Sequence, residues 1–256
     1  MALAVELIPA FQDNYIFLLH DQEGGAVAVV DPGDAHPVQK ALDQREWKLD
    51  QIFITHHHPD HIGGVQKLRD HYSCQVIGAD KDKHRLPGLT LTVREGDQLL
   101  FGKSECQVIE VPGHTLGHVA YWFKEDRSLF CGDTLFAMGC GRLFEGTAEQ
   151  MWESLSKLST LPRNTQVFCA HEYTQANGEF ATSLEPQNTA LLERLKLVEE
   201  SRKKGEPTIP TTLEWELLTN PFLRPKSEEI QRQLGLSPDL EDWQVFAEVR
   251  KHKDHF

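Results

Sequence analysis

The side chains best equipped for chemistry stand together in the stretch Ile52–Gly64, IFITHHHPDHIGG, which gathers His56, His57, His58, Asp60 and His61 around one turn. Imidazoles with a carboxylate among them form a donor set for a first-row transition metal, since neutral ring nitrogens and carboxylate oxygens suit zinc, iron, nickel or copper. His56 and His58 are two positions apart and project to the same side if Thr55–His58 stays extended. Asp60 and His61 come from the turn at Pro59 and can aim at a neighbouring point, which fits two adjacent metal sites better than one. The plain alternative is an exposed, tag-like histidine run. A strand before the cluster and an Asp-His pair after it argue against that.

Such a cluster needs a rigid mount. Ile52, Phe53 and Ile54 read as a short buried strand; Pro59 stops it, and Gly63-Gly64 allows a tight turn into a helix over Val65–His71. Before it come strands over Val5–Pro9, Tyr15–His20 and Ala26–Val30, then a helix over Ala35–Trp47 with Val38, Leu42 and Trp47 on its buried side. After it, strands are expected over Gln75–Ala79, Leu89–Arg94, Gln98–Phe101, Cys106–Val111, Val119–Phe123, Ser128–Cys131 and Gln166–Cys169. A helix over Thr147–Leu158 is announced by Thr147 as N-cap and Gln150 three residues later.

Metal donors recur where these strands stop. His114 follows Cys106–Val111 between glycines, Asp133 follows Ser128–Cys131, and His171 follows Gln166–Cys169. Together with His56 they suggest one common rim. Asp31, in Asp31-Pro32-Gly33, reads alone as a turn residue and beside a metal site as a support that orients a ligand imidazole, and His118 reads as a support for a ligand rather than a ligand. His20, His36, His71, His84, His252 and His255 lack the strand-end context and read as surface residues. Gly139-Cys140-Gly141-Arg142 lacks the third glycine and the βαβ setting of a nucleotide loop, which excludes that reading.

Beyond residue 175 the pattern turns helical. Leu191, Leu195 and Val198 share one helix face, Pro207 and Pro210 mark a linker, and helices are expected over Thr211–Leu218, Ser227–Leu234 and Pro238–His252, the last capped by Ser237. Two domains follow, 1–174 binding metal and 175–256 helical and substrate-binding. The last helix ends in Arg250-Lys251-His252-Lys253, which either meets an anionic substrate or only complements the helix dipole.

The chain has 256 residues, 39% of them hydrophobic and 25% charged, enough for one large packed domain or a domain with an appendage. A formal net charge of −13 excludes a broad nucleic-acid surface and requires a local basic patch for any anionic substrate. No run of apolar residues is long enough for a membrane span, and the five scattered cysteines form no CxxC pair. A cytoplasmic chain with free thiols is expected.

Thr55, His56, His58, Asp60 and His61 form the T-H-x-H-x-D-H pattern that resembles the metallo-β-lactamase superfamily, supported by Asp31-Pro32-Gly33, Pro112-Gly113-His114-Thr115, Gly132-Asp133 and His171. The resemblance implies an α/β fold, the αββα sandwich, here with a C-terminal helical domain. Gly139-Cys140-Gly141-Arg142, Phe144-Glu145-Gly146-Thr147, His171-Glu172-Tyr173-Thr174, Asn220-Pro221-Phe222 and the terminal Arg250 and Lys253-Asp254 make the whole chain similar to the glyoxalase II family of hydroxyacylglutathione hydrolases. That implies two divalent metal ions per chain, zinc foremost with iron or manganese as alternatives. His56, His58 and His114 would hold one, Asp60, His61 and His171 the other, and Asp133 would bridge them. It further implies that Arg142, Tyr173, Arg250 and Lys253 hold the glutathione moiety. The family often has lysine at Arg142 and tyrosine at Phe144; an arginine still meets a carboxylate, whereas Phe144 has no hydroxyl to donate.

The implied activity is thioester hydrolysis of S-(2-hydroxyacyl)glutathione, chiefly S-D-lactoylglutathione, to glutathione and D-lactate, the second step of methylglyoxal detoxification. A metal pair about 3.5–4 Å apart lowers the pKa of a shared water from about 15.7 to near 7, and the bridging hydroxide attacks the carbonyl. The thiolate leaves without a strong acid, because its parent pKa is about 8.5. Asp133 would position the hydroxide, with Asp60 and His61 beside it. A monomer without nucleic-acid or membrane partners is expected. The nearest alternative within the fold is a glutathione-persulfide dioxygenase with one iron, which normally lacks a helical appendage.

Overall fold

The computed structural model describes residues 3–256, which form two compact units. The first takes in the chain up to Glu110 together with Leu116–Gly132, and the second Val111–Thr115 together with Asp133–Phe256.

In the first unit, strands β1 (Leu3–Ala10), β2 (Asn14–Asp21) and β3 (Val27–Val30) pair antiparallel in chain order. From β3 onward the sheet is parallel. Helix α1 (Ala35–Asp43) crosses over to β4 (Gln51–Phe53), and the short α2 (Pro59–Ile62) and then α3 (Val65–Tyr72) cross over to β5 (Gln75–Ala79), with β6 (Leu91–Val93) at the edge. Parallel strands covered on both faces must be apolar on both, which is why Val27–Val30 and Ile52–Ile54 are unbroken apolar runs. On one face Val29, Ile52, Ile54 and Val76 pack with Val38, Ala41 and Leu42 of α1 and Val65 and Leu68 of α3.

The other face meets an antiparallel sheet of β7 (Gln98–Phe101), β8 (Ser104–Glu110), β9 (Val119–Phe123) and β10 (Ser128–Gly132). Its core is aromatic: Phe17 lies 5.5 Å from Phe130, and Phe53 lies 5.0 Å from Tyr121 and 6.2 Å from Phe101. Each such ring, fully buried, contributes about 1.5–3 kcal/mol from surface removed from water. That packing fixes the level at which β3 and β4 end.

The second unit opens with a two-strand ribbon, β11 (Leu135–Phe136) and β12 (Gly139–Cys140), followed by α4 (Ala148–Ser159) and β13 (Gln166–Cys169). Helices α5 (Thr174–Leu184) and α6 (Thr189–Lys203) come next; then β14 (Thr211–Thr212) pairs antiparallel with β13, and α7 (Leu213–Thr219), α8 (Glu228–Gln233) and α9 (Asp242–Asp254) complete it.

Several elements differ from the sequence expectation. The helix expected over Thr211–Leu218 begins at Leu213, because Thr211 and Thr212 pair with β13 and Thr212 caps the helix. Helix α1 stops at Asp43 because Glu46 takes a left-handed φ of 56°, which turns Trp47 back to stack on His20 at 4.3 Å. Helix α9 starts at Asp242 rather than Pro238, since Glu241 and Gln244 form a reciprocal capping box that Ser237 cannot match. Helix α5 has no counterpart in the sequence pattern. Its sequence TQANGEFATSL has a glycine at its centre and no strong apolar face, and it is held by tertiary packing instead: a Cβ on Gly178 would lie 2.3 Å from Leu195.

All five cysteines are free and buried, and among the described residues no helix is long and apolar enough to cross a membrane. The predicted cap of α4 is present on both sides, Thr147 Oγ1 accepting from the Gln150 N–H at 3.2 Å and Gln150 Oε1 from the Thr147 N–H at 3.0 Å. Thr147→Ala should therefore cost about 1 kcal/mol. The loss should appear as a lower denaturant midpoint with an unchanged slope.

Candidate functional site

In the first unit the donor cluster sits at the carboxyl ends of β3 and β4. Parallel pairing in the register Val30↔Phe53 brings the residues just beyond, Asp31 and Thr55, side by side. Asp31 is buried with a left-handed φ of 50°, and its carboxylate accepts from the Thr55 N–H (2.7 Å), the Thr55 hydroxyl (2.6 Å) and His61 Nδ1 (2.9 Å). Asp31 thus orients an imidazole, as expected, and ties down the end of β4 as well. The neighbouring Gly33 must be glycine, because a Cβ there would lie 1.8 Å from the Asp60 carbonyl oxygen.

These bonds choose tautomers. His61 donates from Nδ1, which leaves the Nε2 lone pair facing Asp60 Oδ2 at 3.5 Å. His56 Nδ1 is 3.1 Å from the Thr55 hydroxyl, whose proton is committed to Asp31, so His56 also presents Nε2, 3.0 Å from His58 Nδ1. Zinc–nitrogen bonds of about 2.0–2.1 Å place two tetrahedral ligand nitrogens roughly 3.3 Å apart. The His56–His58 pair is close to that spacing, so these residues fit a metal ion. His118, fully buried, stacks flat on His56 at 4.6 Å and supports it. His57 is turned away: its Nδ1 donates to the buried Asp82 (3.1 Å) and its Nε2 accepts from Arg85 (3.1 Å).

In the second unit His114, Asp133 and His171 are brought together. His114 donates from Nδ1 to the Arg142 carbonyl (2.8 Å) and points Nε2 at Asp133 Oδ2, 3.5 Å away. His171 points Nε2 at the other oxygen, Oδ1, at 3.4 Å. One imidazole on each carboxylate oxygen is compatible with a carboxylate shared between two metal ions. Gly141 permits it, since a Cβ there would lie 2.0 Å from the Asp133 carbonyl oxygen and 2.9 Å from His114 Nδ1. His171 is backed by Tyr173, stacked at 4.7 Å, and by the edge of Phe136 at 5.9 Å.

His114 and Asp133 also line a cavity of about 490 Å³ together with Phe136, Arg142, Phe144, Tyr173, Arg250 and Lys253. All four residues expected to hold substrate meet there. Their cations differ in availability. The Arg142 side chain is 69% exposed, whereas Arg250 is buried, with Nη1 donating to the Cys140 carbonyl (2.9 Å) and Nη2 to Asp254 (2.9 Å). Lys253 donates to the Ala176 carbonyl (3.1 Å) over the rings of Phe180 and Phe256; burial, and then the charge of Arg250, hold its ammonium below the usual lysine range. Burial pushes the Cys140 thiol up to about 11, despite the Arg250 guanidinium beside it.

Residues 9–171 match the model of the metallo-β-lactamase superfamily, and residues 172–256 match that of the hydroxyacylglutathione hydrolase C-terminus. The chain is 53% identical to a hydroxyacylglutathione hydrolase of Methylococcus capsulatus, over 99% of both chains. It belongs to the hydroxyacylglutathione hydrolase family. Its fold is the αββα metallo-β-lactamase sandwich with a C-terminal helical domain. Among solved structures, ETHE1 of Myxococcus xanthus superposes with a TM-score of 0.67 at 25% identity, covering 98% of each chain. TTHA1623, solved in a di-iron-bound form, superposes with a TM-score of 0.63 at 25% identity, covering 86% of this chain and 100% of that one. A metal-binding hydrolase family and the donor clusters described above agree.

Two supporting residues escaped the sequence reading. Asn14 donates to Asp60 Oδ2 at 2.8 Å from the far end of the β1–β2 turn, and Asp82 orients His57. Neither stands near its partner in sequence, and neither belongs to a local pattern. Asp31→Asn would put an amide N–H opposite His61 Nδ1 and force the proton onto Nε2, blocking its lone pair. Zinc affinity should fall roughly 10–100-fold. A competition titration against a chromophoric chelator measures this directly.

Proposed function

We propose that the chain hydrolyses S-(2-hydroxyacyl)glutathione thioesters, S-D-lactoylglutathione above all, to glutathione and a 2-hydroxy acid, as the second step of methylglyoxal detoxification. The observation that carries this reading is the single cavity in which His114 and Asp133 share walls with Arg142, Tyr173, Arg250 and Lys253. That shared lining supports a substrate held by the cations at one end and presented to His114 and Asp133 at the other.

In this reading, as the family resemblance implies, His56, His58 and His114 would hold one divalent ion and Asp60, His61 and His171 a second, with Asp133 shared between them. Zinc is the first choice, with iron or manganese admitted by the same nitrogen and oxygen donors. The ions, when bound, would supply Lewis acidity, bringing the pKa of a bound water down to about 7 and drawing charge from the carbonyl oxygen. Asp133, with one imidazole on each of its oxygens, would help to orient a water held between the two donor sets. Asp60 is steadied by Asn14 and His61 by Asp31, so neither carboxylate nor imidazole need reorganise during attack. The departing thiolate has a parent pKa of about 8.5 and needs no strong general acid, and the cavity lining includes no carboxylic acid besides Asp133.

Arg142 is the cation best placed to meet a glutathione carboxylate, and a guanidinium can do so with two hydrogen bonds. Lys253 adds a second positive charge; Tyr173 offers its hydroxyl and its ring. Arg250 contributes its charge from below, across the Cys140 carbonyl. Phe144, 62% exposed and 5.2 Å from His114, offers an apolar surface where a hydroxyl would otherwise stand. Residues 1–174 would carry the metal donors together with Arg142 and Tyr173, and the helical residues 175–256 would add Arg250 and Lys253 to the substrate site. A monomer in the cytoplasm completes the proposal, and the net charge of −13 argues against a nucleic-acid partner.

Asp133→Ala should lower hydrolysis by at least about 10²-fold, the scale of losing one transition-state stabilising group. Bound metal should fall below two per chain. Loss of thioester absorbance and metal analysis of one sample, beside a chelator-stripped control, test both; full activity in the variant removes Asp133 from the bridge. Lys253→Ala should raise KM roughly 10-fold or more while leaving kcat nearly unchanged, since a hydrogen bond to a charged group contributes about 1.5–3 kcal/mol. An unchanged KM would mean that the basic end of α9 only complements its own helix dipole.

A further inference from the structure

The hydrolytic chemistry leaves one polar cluster of the second unit unused. Glu216 on α7 is fully buried, and its carboxylate accepts from Arg194 (2.5 Å), the Thr211 hydroxyl (2.7 Å), the Met138 N–H (2.8 Å) and the Asn220 amide (3.0 Å). Asn220, equally buried, donates from the same nitrogen to the carbonyls of Phe136 (3.1 Å) and Gly139 (2.9 Å). Asn177 of α5 donates to the Ala137 carbonyl at 3.1 Å.

All these main-chain partners belong to the β11–β12 ribbon. Its ladder has only the pairs Leu135↔Cys140 and Phe136↔Gly139, and it turns through Met138 at a left-handed φ of 54°. A two-strand ribbon of that length does not hold its shape alone. Here the carbonyls of Phe136, Ala137 and Gly139 and the N–H of Met138 are tied to side chains of the helical segments. Apolar residues could fill the same space, and replacing a buried ion pair with them is often neutral or stabilising. What apolar residues cannot supply is a donor for each carbonyl and an acceptor for the Met138 N–H.

The ribbon is also the wall of the substrate cavity. Phe136, Cys140, Gly141 and Arg142 line it, the Cys140 carbonyl holds Arg250, and the Arg142 carbonyl holds His114. We infer that Asn220 and Glu216 are positioning residues for recognition of the glutathione part of the substrate, acting through the main chain of the β11–β12 ribbon. The inference rests on the glutathione-thioester reading above. Displacing the ribbon would move Arg142 and the Cys140–Arg250 pair together and weaken the grip on the tripeptide.

The test compares two thioesters on the metal-loaded full chain: S-D-lactoylglutathione, and S-D-lactoyl-N-acetylcysteamine, which lacks the glutamyl and glycyl ends. Asn220→Ala should raise KM for the glutathione thioester roughly tenfold or more, and change kcat/KM for the truncated one less than about twofold. Amide hydrogen exchange over residues 135–142 should quicken while exchange elsewhere is unchanged. Glu216→Gln, which leaves no cavity, should shift KM in the same direction and serves if Asn220→Ala fails to fold. Thr219→Val removes a hydroxyl bonded to Arg194 at 2.6 Å without touching the ribbon, and should leave the ratio of the two substrates unaltered. Equal losses on both substrates, or a ratio shifted as much by Thr219→Val, would overturn the positioning role while leaving the hydrolase reading intact. A wild-type chain that turns over the truncated thioester but not the glutathione one would overturn both.

Discussion

The first donor cluster depends on one buried carboxylate. Asp31 stands at the end of β3 and binds the main chain and hydroxyl of Thr55 at the end of β4, so that two adjacent parallel strands finish at a fixed offset. The same group orients His61, and the hydroxyl it fixes orients His56. A carboxylate so deeply buried is tolerable only with several donors, each such bond to a charged group contributing about 1.5–3 kcal/mol. Fold and tautomer are therefore set together: what holds the strands also decides which nitrogen each imidazole presents. The left-handed backbone of Asp31 and the glycine at position 33 are the strain and the clearance that this arrangement demands.

The second unit applies the same logic with main-chain acceptors. The Arg142 carbonyl fixes His114 as the Cys140 carbonyl fixes Arg250, and both carbonyls follow the β11–β12 ribbon. A candidate metal-donor imidazole and a cation proposed to meet substrate are thus indexed to one three-residue stretch. Gly141, between them, gives the clearance that lets the stretch approach Asp133. The geometry of chemistry and the geometry of recognition cannot drift independently, which explains why so short a ribbon is tied down by so many buried side chains.

What could be read in advance follows the range of the interaction. His56, His58, Asp60 and His61 announce themselves because strand, turn and donors are contiguous, and His114, Asp133 and His171 because each terminates its own apolar run. Thr147 and Gln150 are legible for the same local reason. Asn14 and Asp60 are 46 positions apart, and Asn220 lies 81 from the Gly139 carbonyl it holds; such pairings leave no periodic trace. Helix α5 lacks an apolar stripe because its small residues pack closely against α6, and the start of α9 was misplaced because two plausible caps lie four residues apart and only the Glu241–Gln244 pair closes on both sides. Arg250 was visible as a cation but not as a buried one: its burial comes from Phe222, whose ring lies 5.0 Å from the guanidinium.

Charge distribution bears on how a substrate is chosen. With a net charge of −13, the long-range field of the chain repels anions, so electrostatic steering of an anionic thioester from a distance is disfavoured. At physiological ionic strength that field is screened beyond about 8 Å, and inside this distance the exposed Arg142 and the Lys253 ammonium dominate. Asp254 sits on Arg250 at 2.9 Å and 4.0 Å from Arg142, trimming the local positive charge rather than maximising it. Small anions without a second recognition element would gain too little from two short-range cations to overcome the outer repulsion. A ligand long enough to reach the cations at one end and His114 and Asp133 at the other gains from both, so selectivity arises from matching length to charge rather than from charge alone.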